Sequence, residues 1–153
     1  SGLGANAIYL AKRGFSVDAV DCSQVAVEKL AAYAARNKLP ISTKVVDLEV
    51  DALAVEKYDV VVVSYYLQRS LFPQLIAALK PGGLLFYQTF NDVDDFQSGP
   101  VNKKFGLERG ELLALTKPHH LLFYREDFAL AAGENAINNE AMIVIQRVID
   151  DKS

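Results

Sequence analysis

Residues 1–23 read SGLGANAIYLAKRGFSVDAVDCS. A glycine-rich start, Gly2-x-Gly4, runs into apolar Ala7, Ile8, Leu10 and Ala11 at helical spacing, and Gly14 stops the pattern. The next stretch, Phe15 to Val20, is biased toward β-formers and ends on Asp21, Cys22 and Ser23, as a strand running into a helix cap does. A glycine turn at a helix N-terminus lets backbone N–H groups approach an anion that also feels the helix dipole; Gly2 and Gly4 leave that approach unblocked. Turn, helix, strand and terminal acid are the order in which α/β folds build a nucleotide site. Such a site has a strand ahead of its glycine turn. The sequence opens after that point, so residues upstream of Ser1 are expected in the intact protein.

Working outward from this stretch, Ser23 and Gln24 precede VAVEKLAAYAARNKL, where Val25, Val27, Leu30, Ala31 and Ala34 share a face and Pro40 closes the helix. A strand is expected at Ser42 to Val46, bounded by Asp47, then an acidic loop with room for one helical turn. YDVVVVSYYL, with four consecutive valines, predicts a strand buried on both faces at the sheet centre. Helical LFPQLIAAL leads to a KPGG turn, and LLFYQTF resumes as a strand. A polar loop, DVDDFQSGPVNKKFG, is long enough to be a lid or substrate loop. After it come a short helix, ERGELLALT, and two strands, HLLFYRED and AMIVIQRV, joined without a long helix and therefore antiparallel at one edge. The fold class is α/β: a Rossmann-like, doubly wound, mostly parallel sheet with an antiparallel C-terminal strand pair, in a single domain over 1–153.

Composition narrows the function classes. With 153 residues, 51% of them hydrophobic, the chain is long enough for one packed domain and short for two. A net charge of -3 offers no cationic excess for a phosphate backbone, so nucleic acid is not the favoured partner. No apolar run approaches the roughly 18 to 20 residues that span a bilayer. A lone Cys22 forms neither an internal disulfide nor a multi-cysteine metal site, so a soluble, cytoplasmic protein is expected. His119 and His120 diverge on an extended chain, and no metal is assigned to them. Hydrolase triads, Walker loops and zinc-protease motifs are absent from the sequence.

Asp21 lies 17 residues after Gly4 at the end of a strand, where a carboxylate can accept both hydrogen bonds of a ribose diol. Plainer readings stand beside these: Gly2-x-Gly4 as an ordinary turn, and Asp21 as a cap for the helix at Ser23. GLGANA also satisfies the G-x-G-x-x-A form of the dinucleotide fingerprint. Two features favour S-adenosylmethionine over a nicotinamide cofactor: only nine residues separate Gly4 from Gly14, and LKPGGLLFYQTF follows the valine strand.

These motifs resemble those of the class I S-adenosylmethionine-dependent methyltransferases. Their cofactor pattern runs D-x-G-x-G-x-G and on through an L-A pair; Gly2, Gly4, Leu10 and Ala11 match its later part. YDVVVVSYYL resembles the family's fourth-strand motif and LKPGGLLFYQTF its fifth, and the wording is most similar to the bacterial branch that includes tellurite-resistance methyltransferases. The resemblance implies that Gly2 and Gly4 line the methionine and ribose part of the cofactor. By the same likeness Asp21 holds the ribose hydroxyls, Cys22 lies beside the adenine, Asp47 faces the adenine amino group and Leu48 packs nearby. Ser64 and Tyr65 would sit closest to the transferable methyl. Tyr65 and Tyr66 point to opposite faces, so at most one of them faces the pocket.

The implied activity is methyl transfer to a small-molecule acceptor by in-line displacement, with catalysis mainly by proximity. A thiol, selenide or tellurite-like acceptor arrives nucleophilic; a hydroxyl or ammonium needs a base, and the sequence displays none. Gln68 and Arg69 are weaker substrate candidates, an Arg at the start of a helix being more often a surface residue or an ion-pair partner. Asp92, Asp94 and Asp95 read as a solvated acidic loop or as contacts to a cationic acceptor. An NAD(P)-dependent oxidoreductase and a non-catalytic cofactor-binding domain are the alternatives.

Overall fold

The computed structural model describes residues 2–91, 106–127 and 140–149. The chain divides into two compact units, Ser1–Ala52 and Leu53–Ser153.

The first unit is α1 (Gly2–Lys12), β1 (Val17–Asp21), α2 (Gln24–Arg36) and β2 (Ile41–Val45), with β1 and β2 parallel and Asp21 opposite Val45. The helix expected from Ala5 starts earlier, at Gly2, so both glycines lie in its first turn and not in a loop ahead of it. The first N–H groups of a helix have no partner within it, and glycine adopts helical angles as readily as turn angles, so the helix extends to them without cost to the ladder. Ala7 and Ala11 are buried on one side of α1. Ala7, Ala19 and Leu30 form the centre of this unit's core, with Ile8, Val17 and Ile41 against them. On α2 the expected face is largely the buried one, Val27, Leu30 and Ala34, but Val25 is exposed in the first turn. Ser23 caps α2, its Oγ accepting the Ala26 N–H at 3.2 Å.

The second unit holds β3 (Tyr58–Ser64), a 3-10 turn at Arg69–Leu71, α3 (Phe72–Ala78), β4 (Leu79–Phe90), α4 (Glu111–Leu115), β5 (His120–Asp127) and β6 (Glu140–Gln146). Strand order is β3-β4-β6-β5, parallel between β3 and β4 and antiparallel thereafter. The C-terminal pair is antiparallel as expected, with β6 inserted between β4 and β5. The polar loop at 92–105 and the turn at 131–139 lie outside the described residues.

Two expectations are corrected here. The KPGG turn does not precede its strand but interrupts it: Tyr58 pairs with Leu79, then Val60 pairs with Leu84, so Lys80 to Gly83 bulge from one side of the ladder. Gly82, with φ +82°, makes that reversal. The valine strand, expected at the sheet centre, stands among the described residues at the edge of the four-stranded sheet, and Val60 to Val63 are half-buried or exposed. An apolar run reports β-propensity and shielding but not which edge is paired. The core lies on the other strands' inner face, where Leu85, Tyr87 and Thr89 of β4 and Ala141, Ile143 and Ile145 of β6 are buried.

Candidate functional site

The parallel pairing of β1 and β2 brings their carboxyl ends side by side, which is where open α/β sheets hold ligands. Asp21 closes β1 there, half-buried, and Asp47 follows β2 two residues beyond Val45, the partner of Asp21. The ladder continues past both strands, with the Val46 N–H donating to the Asp21 carbonyl at 2.9 Å.

Each carboxylate shapes its own loop. Asp21 Oδ1 accepts the Ser23 N–H at 2.8 Å, so the capping role foreseen as the plain alternative is real. Oδ2 accepts no hydrogen bond among the described residues, so the second oxygen stays available. Asp47 Oδ1 accepts the Glu49 N–H at 3.0 Å, and its carbonyl accepts from Asp51 at 2.7 Å, closing one turn over Leu48 to Val50. Cys22 is exposed beside Asp21, and Leu48 is half-buried beside Asp47. Gly4 lies in the first turn of α1, where an added Cβ would meet nothing within 4 Å. The first unit therefore holds six of the expected residues: Gly2, Gly4, Asp21, Cys22, Asp47 and Leu48.

Ser64 and Tyr65 belong to the second unit, at the carboxyl end of β3. Ser64 is in register with Gln88. Tyr65 adopts a left-handed backbone, φ +57°, which costs a residue with a side chain about 1–2 kcal/mol. Its N–H nevertheless stays on the ladder, donating to the Gln88 carbonyl at 2.8 Å. Its hydroxyl donates to Glu140 Oε1 at 3.0 Å, and Gln88 Nε2 donates to Glu140 Oε2 at 2.8 Å. Tyr66, by contrast, is half-buried and turns its hydroxyl to Gln68 Oε1 at 2.6 Å.

Sequence reasoning did not find Glu140, which is 75 positions from Tyr65. The antiparallel C-terminal pair was the available signal, because it returns the start of the last strand to the carboxyl end of the parallel strands. Arg69 is an ion-pair residue: its guanidinium forks onto Glu111 of α4, with Nη2 to Oε1 at 2.9 Å and to the Gly106 carbonyl at 2.9 Å. His119 Nδ1 accepts the Val148 N–H at 3.1 Å. Asp92, Asp94 and Asp95 lie outside the described residues.

This is the α/β, Rossmann-like fold of the S-adenosylmethionine-dependent methyltransferases. One such methyltransferase, from Methanosarcina mazei, superposes with a TM-score of 0.66 at 17% identity, over 94% of this chain and 87% of that one. The chain belongs to the tellurite resistance protein TehB family, whose profile matches residues 1–143. TehB from Haemophilus influenzae superposes with a TM-score of 0.75 at 21% identity, over 95% of this chain and 54% of that one. Hemagglutinin 1 of Eikenella corrodens is 32% identical over 144 residues, which are 88% of this chain and 47% of that protein. The chain thus spans about half the length of these two relatives.

Proposed function

We propose that the chain carries out S-adenosylmethionine-dependent methyl transfer to a small-molecule acceptor. The observation that carries the reading is the edge of the β1–β2 pair, where Asp21, beside the Asp47 loop, has one carboxylate oxygen that accepts no hydrogen bond among the described residues. The open space at Gly4 on the first turn of α1 fits the same cofactor, since among the described residues an added Cβ there would meet nothing within 4 Å. Asp21 would take the ribose hydroxyls, Asp47 the adenine amino group, with Cys22 and Leu48 beside the base and Gly2 and Gly4 along the methionine and ribose. Ser64 and Tyr65 would lie toward the methyl.

When bound, the cofactor supplies a methyl group on a positively charged sulfur. What the chain's residues contribute is binding, orientation and exclusion of water, with the acceptor held at a near-attack distance of about 3–3.5 Å. Membership of the TehB family supports this reading. Among the described residues no helix is long and apolar enough to cross a membrane. We place the protein in a bacterial cytoplasm, from its lone cysteine and from its bacterial relatives.

Calorimetry on the full-length protein tests the proposal. S-Adenosylhomocysteine is expected to bind and NAD is not. Binding of NAD alone would transfer the fold to the oxidoreductase reading, and binding of neither would leave a domain without cofactor chemistry.

A further inference from the structure

The turn after β2 is held by a residue that the sequence did not single out. β2 ends at Val45, and the Val46 N–H still reaches the ladder through the Asp21 carbonyl at 2.9 Å. The next N–H, that of Asp47, lies past the end of the ladder, and Asp51 Oδ2 accepts it at 2.9 Å. Asp51 also donates its own N–H to the Asp47 carbonyl at 2.7 Å, so the two residues are joined in both directions. The Val50 N–H donates to the same carbonyl at 3.0 Å, and Asp47 Oδ1 accepts the Glu49 N–H at 3.0 Å. Together these bonds fix the Asp47 backbone and one of its carboxylate oxygens, while Oδ2 accepts no hydrogen bond among the described residues. Every residue of the arrangement belongs to the first unit.

We propose that Asp51 is a positioning residue for base recognition. By holding the Asp47 N–H it presets the Asp47 carboxylate for the exocyclic amino group of adenine, and so sets the preference for an adenine nucleoside over its keto analogue. The inference rests on the methyl-transfer reading above, in which Asp47 faces that amino group.

Asp47 is exposed, so without Asp51 water would solvate its N–H in many orientations, and each rotation of that peptide would carry the carboxylate away from the base. A carboxylate held in place beforehand loses less freedom when the ligand arrives. The charge on Asp51 makes the hold stronger than a neutral acceptor would. An amino group donates to the Asp47 oxygen, whereas a keto group sets one acceptor against another. Asp47 and Asp51 serve backbone N–H groups, and among the described residues no acidic, histidine or cysteine cluster is placed to hold a metal ion.

Calorimetry on the full-length protein compares S-adenosylhomocysteine with S-inosylhomocysteine, which carries the keto group instead, in wild type, Asp47→Ala, Asp51→Ala, Asp51→Asn and the double alanine variant. Wild type is expected to prefer the adenine ligand by about tenfold or more. In Asp51→Ala, S-adenosylhomocysteine affinity is expected to fall about three- to tenfold with S-inosylhomocysteine little changed, so that selectivity approaches that of Asp47→Ala. Asp51→Asn keeps an oxygen for the Asp47 N–H and is expected to recover most of the selectivity. The double variant is expected to bind S-adenosylhomocysteine no more weakly than Asp47→Ala, because Asp51 acts through Asp47. A purely structural role would weaken both ligands alike. Equal losses for the two ligands, unchanged selectivity in Asp51→Ala, no recovery in Asp51→Asn, or additive losses in the double variant overturns the proposal and leaves the methyl-transfer reading standing. A wild type that binds no S-adenosylhomocysteine strikes that reading, and the proposal with it.

Discussion

Asp21 accepts the backbone N–H of Ser23 at 2.8 Å through Oδ1, so one oxygen of this carboxylate braces the turn into α2, while Oδ2 accepts no hydrogen bond among the described residues and is the oxygen we propose for the ribose. The two duties separate by substitution. Asp21→Asn keeps an amide oxygen for the Ser23 N–H but cannot accept both hydroxyls of a ribose. Asp21→Ala loses both functions. Loss of the turn contact is expected to cost about 0.5–2 kcal/mol, and therefore to lower the urea midpoint in Asp21→Ala only. S-Adenosylhomocysteine affinity, measured by calorimetry, is expected to fall at least about tenfold in both, since each removes a hydrogen bond to a bound hydroxyl. Equal affinity in Asp21→Asn and wild type would reduce Asp21 to a turn residue.

Gly4 and Gly83 make opposite predictions from the same substitution. A Cβ at Gly83 would stand 2.9 Å from the Lys80 carbonyl oxygen and 3.1 Å from that of Asp59, both backbone atoms with little freedom to move. Gly83→Ala is expected to lose about 1–3 kcal/mol through overpacking at the bulge. A Cβ at Gly4 meets nothing, and alanine is the better helix former by up to about 1 kcal/mol. Gly4→Ala should thus leave stability equal or higher while weakening S-adenosylhomocysteine binding, as measured by parallel denaturation and calorimetry. Binding that survives Gly4→Ala intact would remove Gly4 from the site.

Local chemistry made the element order readable, and non-local pairing hid the remainder. Ser23 reads as a cap because a hydroxyl before an apolar-periodic run satisfies an orphan N–H, and the structure has that bond. Gly82 and Gly83 read as a turn for the same local reason. That the turn sits inside β4 depends on Leu79 already pairing with Tyr58, which no local pattern encodes. The valine run announces a strand through propensity, yet its edge position is decided by which neighbours pair with it. Gly2 and Gly4 tolerate turn and helix alike, so their placement in α1 was open. Asp21 and Asp47 were legible as strand-ending acids, whereas Glu140 acquires its partner only when β6 inserts beside β4.

The Arg69 fork onto Glu111 ties the 3-10 turn after β3 to α4, with the Glu111 side chain only 16% exposed. Lysine carries the same charge but no planar fork, so it cannot reach both carboxylate oxygens and the Gly106 carbonyl together. Arg69→Lys is expected to recover only part of the stability lost in Arg69→Ala. That loss should be about 1.5–3 kcal/mol, the scale of charge-assisted hydrogen bonds, and somewhat less for the solvent-exposed share of Arg69. Urea denaturation monitored by far-ultraviolet circular dichroism measures it, and full recovery in Arg69→Lys would mean that charge alone supplies the tie.

Tyr87 makes stability depend on alkaline pH. It is 1% exposed, its hydroxyl donates to the Tyr66 carbonyl, and burial raises its phenol well above the ordinary value of 10.0. Tyr124 is raised too, by burial and then by its hydrogen bond to Glu126 and the charge there. Between about pH 10 and the folded value, the unfolded chain has lost a proton that the native state retains, so unfolding releases protons. The contribution is therefore fully present below about pH 10 and is lost as pH rises through the folded value, at up to about 1.4 kcal/mol per pH unit for the buried Tyr87 and less for the partly exposed Tyr124. Tyr87→Phe is expected to be less stable than wild type near neutral pH by about 1 kcal/mol, for the lost hydrogen bond. Above about pH 10 its stability should decline less steeply, because one buried phenol no longer titrates. Urea midpoints collected at intervals from about pH 8 to about pH 11 separate the two effects, and parallel declines in both proteins would show that the Tyr87 proton is not what links stability to pH.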